Sequence, residues 1–89
     1  MITFDENDSG YISWIRNNRN GFVINYTPVG YEERLVLHRA RCPTIRGRNR
    51  ITRTANGHIK VCSNDREELV KQANESFGHK ALLCEICRP

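Results

Sequence analysis

Apolar and polar positions alternate in short blocks along the chain, and each block predicts one short element. The first block, residues 11–15, has apolar side chains at helical spacing. It predicts a helix that begins near Gly10, with Asp8 or Ser9 as its N-cap. Gly21 follows a polar stretch and predicts the end of this segment, because glycine readily adopts the backbone conformation in which helices terminate.

Three further blocks favour β-strands, because they are rich in β-branched and aromatic residues. Residues 21–26 (GFVINY) and 34–38 (RLVLH) flank a segment, 27–33, that contains proline and glycine. This pattern predicts an antiparallel hairpin. Residues 58–63 (HIKVCS) alternate between apolar and polar side chains and predict a third strand.

A second helix is predicted after the third strand. Asn64 and Glu67 have the spacing of a capping box, apolar residues at helical spacing follow over 69–77, and Gly78 ends the helix. Residues 43–57 contain little apolar material and predict a long loop, with a short β ladder around Ile51. The order of elements predicts a single domain over residues 1–89 of the α+β class, a small antiparallel sheet with two helices.

The composition is typical of a small fold that is stabilised by a covalent or metal cross-link. A domain of 89 residues with 38% hydrophobic residues has a marginal core, and small domains often add disulfides or a structural metal. No apolar run approaches the roughly 18 residues of a membrane span, and the acidic N-terminus does not resemble a signal peptide. We therefore expect no membrane partner and a cytoplasmic location, where cysteines stay reduced or bind metal.

Two pairs of metal-binding residue types lie far apart in the sequence. Cys84 and Cys87 form a C-x-x-C pair, whose spacing lets both thiolates reach one ion. His38 and Cys42 form a local pair at the end of a predicted strand. One histidine and three cysteines are a common structural zinc set, so zinc is the expected cofactor. Cys62 is an alternative to His38, although a cysteine within a strand is more often a buried apolar residue.

The positive charge of the chain is concentrated in its middle. Residues 38–60 contain seven basic side chains and no acid, whereas both flanking segments are net acidic. Arginine forms bidentate hydrogen bonds with phosphate and guanine, so this segment predicts DNA or RNA as a partner. The predicted contact residues are Arg39, Arg41, Arg46, Arg48, Arg50, Arg53 and Lys60.

The motifs HRARCPTI (38–45) and SNDREELVKQANESFGHKALLCEICRP (63–89) together resemble a known zinc domain. They are similar to the zinc-binding domain of Ada-type methylphosphotriester DNA repair proteins, over about residues 37–89. In that family a C-x-x-x-C pair precedes a strand, a helix and a C-x-x-C pair. The resemblance implies a zinc-binding, DNA-binding domain, to which residues 1–36 add an N-terminal helix and hairpin.

His38 is the departure from that family that matters most. It occupies the position of the cysteine that accepts the methyl group, and imidazole on zinc is a poor alkyl acceptor. We therefore expect a module that is not an enzyme on its own; no catalytic set is evident elsewhere. The alternatives are a structural or protein-interaction zinc module with an acidic protein partner, and a repair enzyme that reacts through Cys42, Cys84 or Cys87.

Overall fold

Five strands form one mixed sheet in a computed structural model that describes residues 1–27, 34–46, 54, 58–78 and 80–89. These residues contain three helices, so the α+β prediction is confirmed, but the prediction of two helices is wrong. In chain order the elements are β1 (Ile2–Phe4), α1 (Asp8–Asn17), β2 (Phe22–Thr27), β3 (Arg34–Arg39), α2 (Pro43–Arg46), β4 (Ile59–Ser63), α3 (Arg66–Phe77) and β5 (Leu82–Leu83).

The sheet has the strand order β1-β4-β2-β3-β5. The first four strands pair antiparallel with their neighbours, whereas β5 runs parallel to β3. The prediction of a purely antiparallel sheet is therefore wrong at this edge. The two edge strands β1 and β5 have only three and two residues. Strands this short do not show a period of two, and for that reason the apolar pattern did not predict them.

The side chains of β2 alternate between two apolar clusters. Val23 packs with Tyr11 and Ile15 of α1, whereas Ile24 packs with Leu69 of α3. Because successive residues of a strand point to opposite faces, α1 covers one face of the sheet and α3 covers the other. Val23 and Ile24 are both fully buried. The sheet is thus held on both faces, and β3 is fixed firmly enough to position functional side chains at its end.

The N-cap of helix α1 lies one residue before the earlier of its two predicted positions, Asp8 and Ser9. The side chain of Asn7 is the N-cap and accepts a hydrogen bond from the Gly10 N–H group at 3.0 Å. Asp8 instead accepts hydrogen bonds from both the N–H group and the hydroxyl of Thr54. The Asn7 N–H group donates to the Thr54 hydroxyl at 2.8 Å. Thr54 is therefore fastened to the start of α1, and it is fully buried there.

Helix α3 starts and ends at well-defined caps. Asp65, rather than the predicted Asn64, is the N-cap, and its carboxylate accepts from the Glu68 N–H group at 3.1 Å. Gly78 ends the helix in the left-handed region, with φ of 71°, and donates to the Asn74 carbonyl. The prediction of Gly78 as the helix end is confirmed.

The predicted loop over 43–57 is interrupted by the short helix α2 and by the anchored Thr54. The turn predicted over 27–33 falls mostly on residues 28–33, which lie outside the described residues. Residues 47–53 and 55–57, including the β ladder predicted around Ile51, also lie outside them.

Candidate metal centre

Strand β3 and the turn after it place His38 and Cys42 side by side. His38 lies near the end of β3, is 7% exposed and pairs across the sheet with Val23. The Cys42 N–H group donates to the Arg39 carbonyl at 2.9 Å, which closes a turn directly after the strand. Helix α2 then starts at Pro43, which has no N–H group and is well tolerated in a first helical turn. The turn therefore brings the potential metal ligands His38 and Cys42, four positions apart in the sequence, close together.

The parallel strand β5 brings the C-terminal cysteines to the same place. Its pairing with β3 continues in a hydrogen bond of 3.0 Å from the Cys84 N–H group to the Leu37 carbonyl. The next residues form a turn, in which the Arg88 N–H group donates to the Cys84 carbonyl at 3.0 Å. Cys87 lies within this turn. Main-chain pairing to β3 therefore positions the C-x-x-C motif beside His38.

The donor atoms of His38, Cys42, Cys84 and Cys87 all lie within 4.8 Å of one another. The Cys42 and Cys84 sulfurs are 3.8 Å apart. Two thiolates bound to a tetrahedral ion at about 2.3 Å each are separated by about 3.8 Å, which equals this distance. The four residues could therefore hold one metal ion, with one donor from each.

Burial suits His38 to act as a neutral ligand. Desolvation, with a smaller contribution from the positive charge of Lys60, lowers the pKa of the imidazole from 6.5 to about 4. The ring is therefore uncharged near neutral pH, and a metal ion does not have to displace a proton from it. The Thr44 hydroxyl lies 3.3 Å from His38 Nδ1 and 2.9 Å from Cys42 Sγ. If the ring is protonated at Nδ1, the Thr44 hydroxyl accepts a hydrogen bond from the ring and can donate one to the Cys42 sulfur. The unprotonated Nε2 atom is then available to bind a metal ion.

The thiols of the C-x-x-C pair differ in acidity. Burial raises the pKa of Cys84, but hydrogen bonds from the Cys87 and Ile86 N–H groups and from the neighbouring thiols outweigh it, so its pKa is lowered. Burial raises the pKa of Cys87 to about 11, and the proximity of Cys42 and Cys84 adds to this increase. One thiolate is thus stabilised, while a second beside it is disfavoured. A divalent cation removes this conflict because it compensates the charges of several thiolates at once.

Arg39 holds the C-terminal turn against β3. Its N–H group donates to Cys87 Sγ at 3.2 Å, and its guanidinium donates to the carbonyls of Cys87 and Arg88, both at 3.0 Å. Hydrogen bonds to a metal-binding sulfur orient it and reduce its charge. Arg39 was predicted only as a contact for nucleic acid. Its hydrogen bond to Cys87 could not be predicted because the two residues are 48 positions apart in the sequence.

Cys62, the alternative fourth ligand, lies two strands away from His38. Val23 on β2 pairs with His38 on one side and with Cys62 on the other. Adjacent strands are about 4.8 Å apart, so the two backbones are separated by about 10 Å. Cys62 packs beside Tyr11 in the core, and burial raises its pKa to about 12. The geometry therefore favours His38 over Cys62 as the fourth donor.

The predicted nucleic-acid contacts occupy different environments. Arg39 and Arg41 are exposed beside the metal centre. Lys60 is only 5% exposed, and its ammonium lies 5.8 Å from the centroid of the Tyr11 ring. This position does not favour the prediction for Lys60, because its side chain is buried and lies beside Tyr11 on the inner side of β4. Arg46 ends α2, and the remaining three arginines, Arg48, Arg50 and Arg53, lie outside the described residues.

Two residues that matter at this edge of the sheet were not selected from the sequence. Thr44 contacts both members of the local ligand pair, and its position two residues after Cys42 was the available signal. Arg19 lies before β2, in a segment with net negative charge, and only the β2–β3 pairing brings it close to Arg39 and Arg41.

No family model matches this chain, and no similar curated protein or solved structure was found. The resemblance to the Ada-type zinc domain therefore depends on the quoted motifs alone. Among the residues that the structure describes, no helix combines the length and the apolar character that a membrane span requires.

Proposed function

We propose that this chain is a zinc-binding module that binds nucleic acid, most directly DNA, and has no catalytic activity of its own. The observation that carries the proposal is the group of one imidazole and three thiols within 4.8 Å, beside exposed arginines. The proposal has two parts, a structural zinc site and a basic surface, which are supported by different residues.

Zinc is the metal that suits this donor set best. Three thiolates and one imidazole form a common closed site for structural zinc, with no position left for water or substrate. When bound, the ion would supply a tetrahedral cross-link and no reactive group. His38, Cys42, Cys84 and Cys87 would hold it, and Arg39 and Thr44 would orient the donors through the hydrogen bonds described above. The free cysteines of the chain fit a reducing compartment, and we propose the cytoplasm.

Nucleic acid is the proposed partner because basic side chains accumulate next to this centre. Arg39 and Arg41 are exposed there, and the sequence adds further arginines between α2 and Thr54. Each contact with a backbone phosphate releases condensed counterions, so a cluster of arginines gains affinity without reading sequence. The proposed resemblance to Ada-type zinc domains agrees with DNA as the ligand. Methyl transfer is not proposed, because His38 replaces the accepting cysteine.

The test joins metal analysis to a binding titration. Purified protein should contain one zinc per chain, Cys62→Ala should retain it, and His38→Ala should lose most of it. A labelled duplex should bind with an affinity that falls steeply as salt rises from about 50 to 200 mM. Protein without metal, or with His38→Ala and Cys62→Ala equally loaded, would contradict the site. A zinc-loaded protein that does not bind duplex or single strands at low salt would contradict the nucleic-acid function.

A second candidate, a protein-interaction zinc module, is favoured by one observation. Leu82, Leu83 and Ile86 flank Cys84 and are 54%, 56% and 65% exposed. Apolar side chains this open beside a rigid centre are typical of contacts between proteins. For this candidate, replacing Leu83 and Ile86 with Ser should weaken association with a protein partner and leave zinc content unchanged. The same double variant should bind DNA as the unmodified protein does if the first proposal holds.

A further inference from the structure

A small basic recess lies at the edge of the sheet where β2 begins and β3 ends. In the antiparallel register Phe22 pairs with Arg39, and the Ala40 N–H group donates to the Gly21 carbonyl at 2.9 Å. Both chains turn just beyond this point, at residues 19–20 and 40–41. Residues that are about 20 positions apart in the sequence are therefore brought side by side. The recess has a volume of about 70 Å³ and is lined by Arg19, Asn20, Gly21, Arg39 and Arg41.

Size and charge restrict what can occupy this recess. A volume of about 70 Å³ has room for a compact oxyanion such as phosphate. Three of its five lining residues carry guanidinium groups, and no carboxylate belongs to the lining. Guanidinium groups bind phosphate oxygens through paired N–H donors in a fixed planar geometry. The basic lining of the recess therefore suits a phosphate group.

Main-chain contacts hold the walls of the recess in place. The Gly21 N–H group donates to the Asn18 carbonyl at 2.9 Å, and its own carbonyl accepts from Ala40. A Cβ atom at Gly21 would lie 2.6 Å from Trp14 Cη2, so the ring packs directly against this glycine. The guanidinium of Arg39 is restrained by its hydrogen bonds to the C-terminal turn. These two bonds use two of its five N–H donors, and they reduce the entropy that phosphate binding would cost.

We propose that this recess binds one phosphate group, and that its source is the backbone of the bound nucleic acid. The site deepens the proposed function and depends on it for the source of the phosphate. It adds Arg19, which lies in the N-terminal segment outside the Ada-like motifs, to the nucleic-acid surface. The metal centre and the recess share Arg39, so a single residue connects the two sites.

The experiment compares Arg19→Gln and Arg41→Gln with a matched control, Arg16→Gln. Arg16 is an exposed arginine in the last turn of α1 and does not line the recess. Zinc content and the thermal unfolding midpoint are measured first, and both should be unchanged in these exposed variants. Arg39 is left intact because it also supports the C-terminal turn.

In the first arm, affinity for a labelled duplex is measured against salt concentration. Loss of one phosphate contact should reduce the slope of log K against log salt by about 0.9 in Arg19→Gln and in Arg41→Gln. Arg16→Gln should keep the slope of the unmodified protein. If the unmodified protein binds duplex and all three variants behave alike, the recess proposal is overturned while the proposed function stands.

In the second arm, inorganic phosphate is titrated while the amide resonances of Asn20 and Gly21 are followed by NMR. Saturable shifts in the unmodified protein and in Arg16→Gln, reduced in Arg19→Gln, support a phosphate site. If such shifts occur but no nucleic acid binds at low salt, the phosphate chemistry stands, and free phosphate replaces the nucleic-acid backbone as the source. No shift, together with unchanged duplex binding by Arg19→Gln, contradicts the recess directly.

Discussion

Removing the proposed zinc ion should lower the stability of this domain by about 4 kcal/mol. A metal ion that joins Cys42 to Cys84 closes a chain segment of 42 residues. A cross-link across a loop of this length removes about 4 kcal/mol of conformational entropy from the unfolded state. A domain of this size has a total stability of about 5–13 kcal/mol, so the metal-free protein should retain about 1–9 kcal/mol.

Thermal unfolding of the zinc-loaded protein, with and without a chelator, measures this loss. Trp14, the only tryptophan, reports the transition by its fluorescence. The expected decrease of the unfolding midpoint is about 15–30 °C, since each kcal/mol corresponds to about 4–8 °C in a domain of this size. Cys42→Ser removes one ligand and should begin at the lower midpoint, with no further response to the chelator. Cys62→Ala should lose some packing stability but keep the full response.

The two variants make the result decisive. A chelator-induced shift in the unmodified protein that is no larger than the shift in Cys42→Ser would refute the cross-link. A chelator response that disappears in Cys62→Ala and persists in His38→Ala would refute the ligand assignment instead.

Three further predictions follow from buried groups. In zinc-free protein, burial lowers the pKa of His38 from 6.5 to about 4. As the pH falls, the unfolded chain therefore binds a proton before the folded protein does, and the free energy of unfolding should decrease by about 3 kcal/mol from pH 6.5 to 4. Denaturant midpoints measured against pH should show this loss, and His38→Ala should flatten it; equal slopes would contradict it. Burial raises the pKa of Cys62 from 9.0 to about 12, so alkylation of the native thiol should be at least about 30-fold slower than after unfolding, because less thiolate is present and the sulfur is enclosed. Mass spectrometry measures both rates, and comparable rates would be inconsistent with the buried position. Gly21→Ala should displace the Trp14 ring, shift the tryptophan emission and lower the stability by about 1–3 kcal/mol. Gly78→Ala is the control: at φ of +71° with open space around it, it should lower the stability by about 1 kcal/mol without an emission change. Identical emission spectra for the two variants would argue against the contact between Gly21 and Trp14.

Local spacing was sufficient to predict the parts of the site that are close in sequence. His38 and Cys42 are four residues apart, and Cys84 and Cys87 are three apart, so each pair is visible as a pattern. The structure brings the two pairs together through β5, which has only two residues. No periodicity can indicate a strand of this length, so the parallel pairing with β3 could not be predicted.

Charge patterns were less informative than spacing, because they do not show the direction of a side chain. Lys60 belongs to the basic segment by sequence but points inward from β4 towards Tyr11. Arg19 lies in an acidic segment by sequence but meets Arg39 and Arg41 across the hairpin. The strand register decides on which face of the sheet Lys60 lies, and the pairing of β2 with β3 decides which residues lie near Arg19; both depend on pairings between distant residues.

The anchoring of Thr54 to Asn7 and Asp8 makes the start of α1 depend on a residue far along the chain. The Thr54 hydroxyl accepts a hydrogen bond from the Asn7 N–H group and donates one to the Asp8 carboxylate, and these two residues are the N-cap and the first residue of α1. A substitution that removes this buried hydroxyl would break both bonds at once. The first helix is therefore sensitive to a change 46 residues away in the sequence.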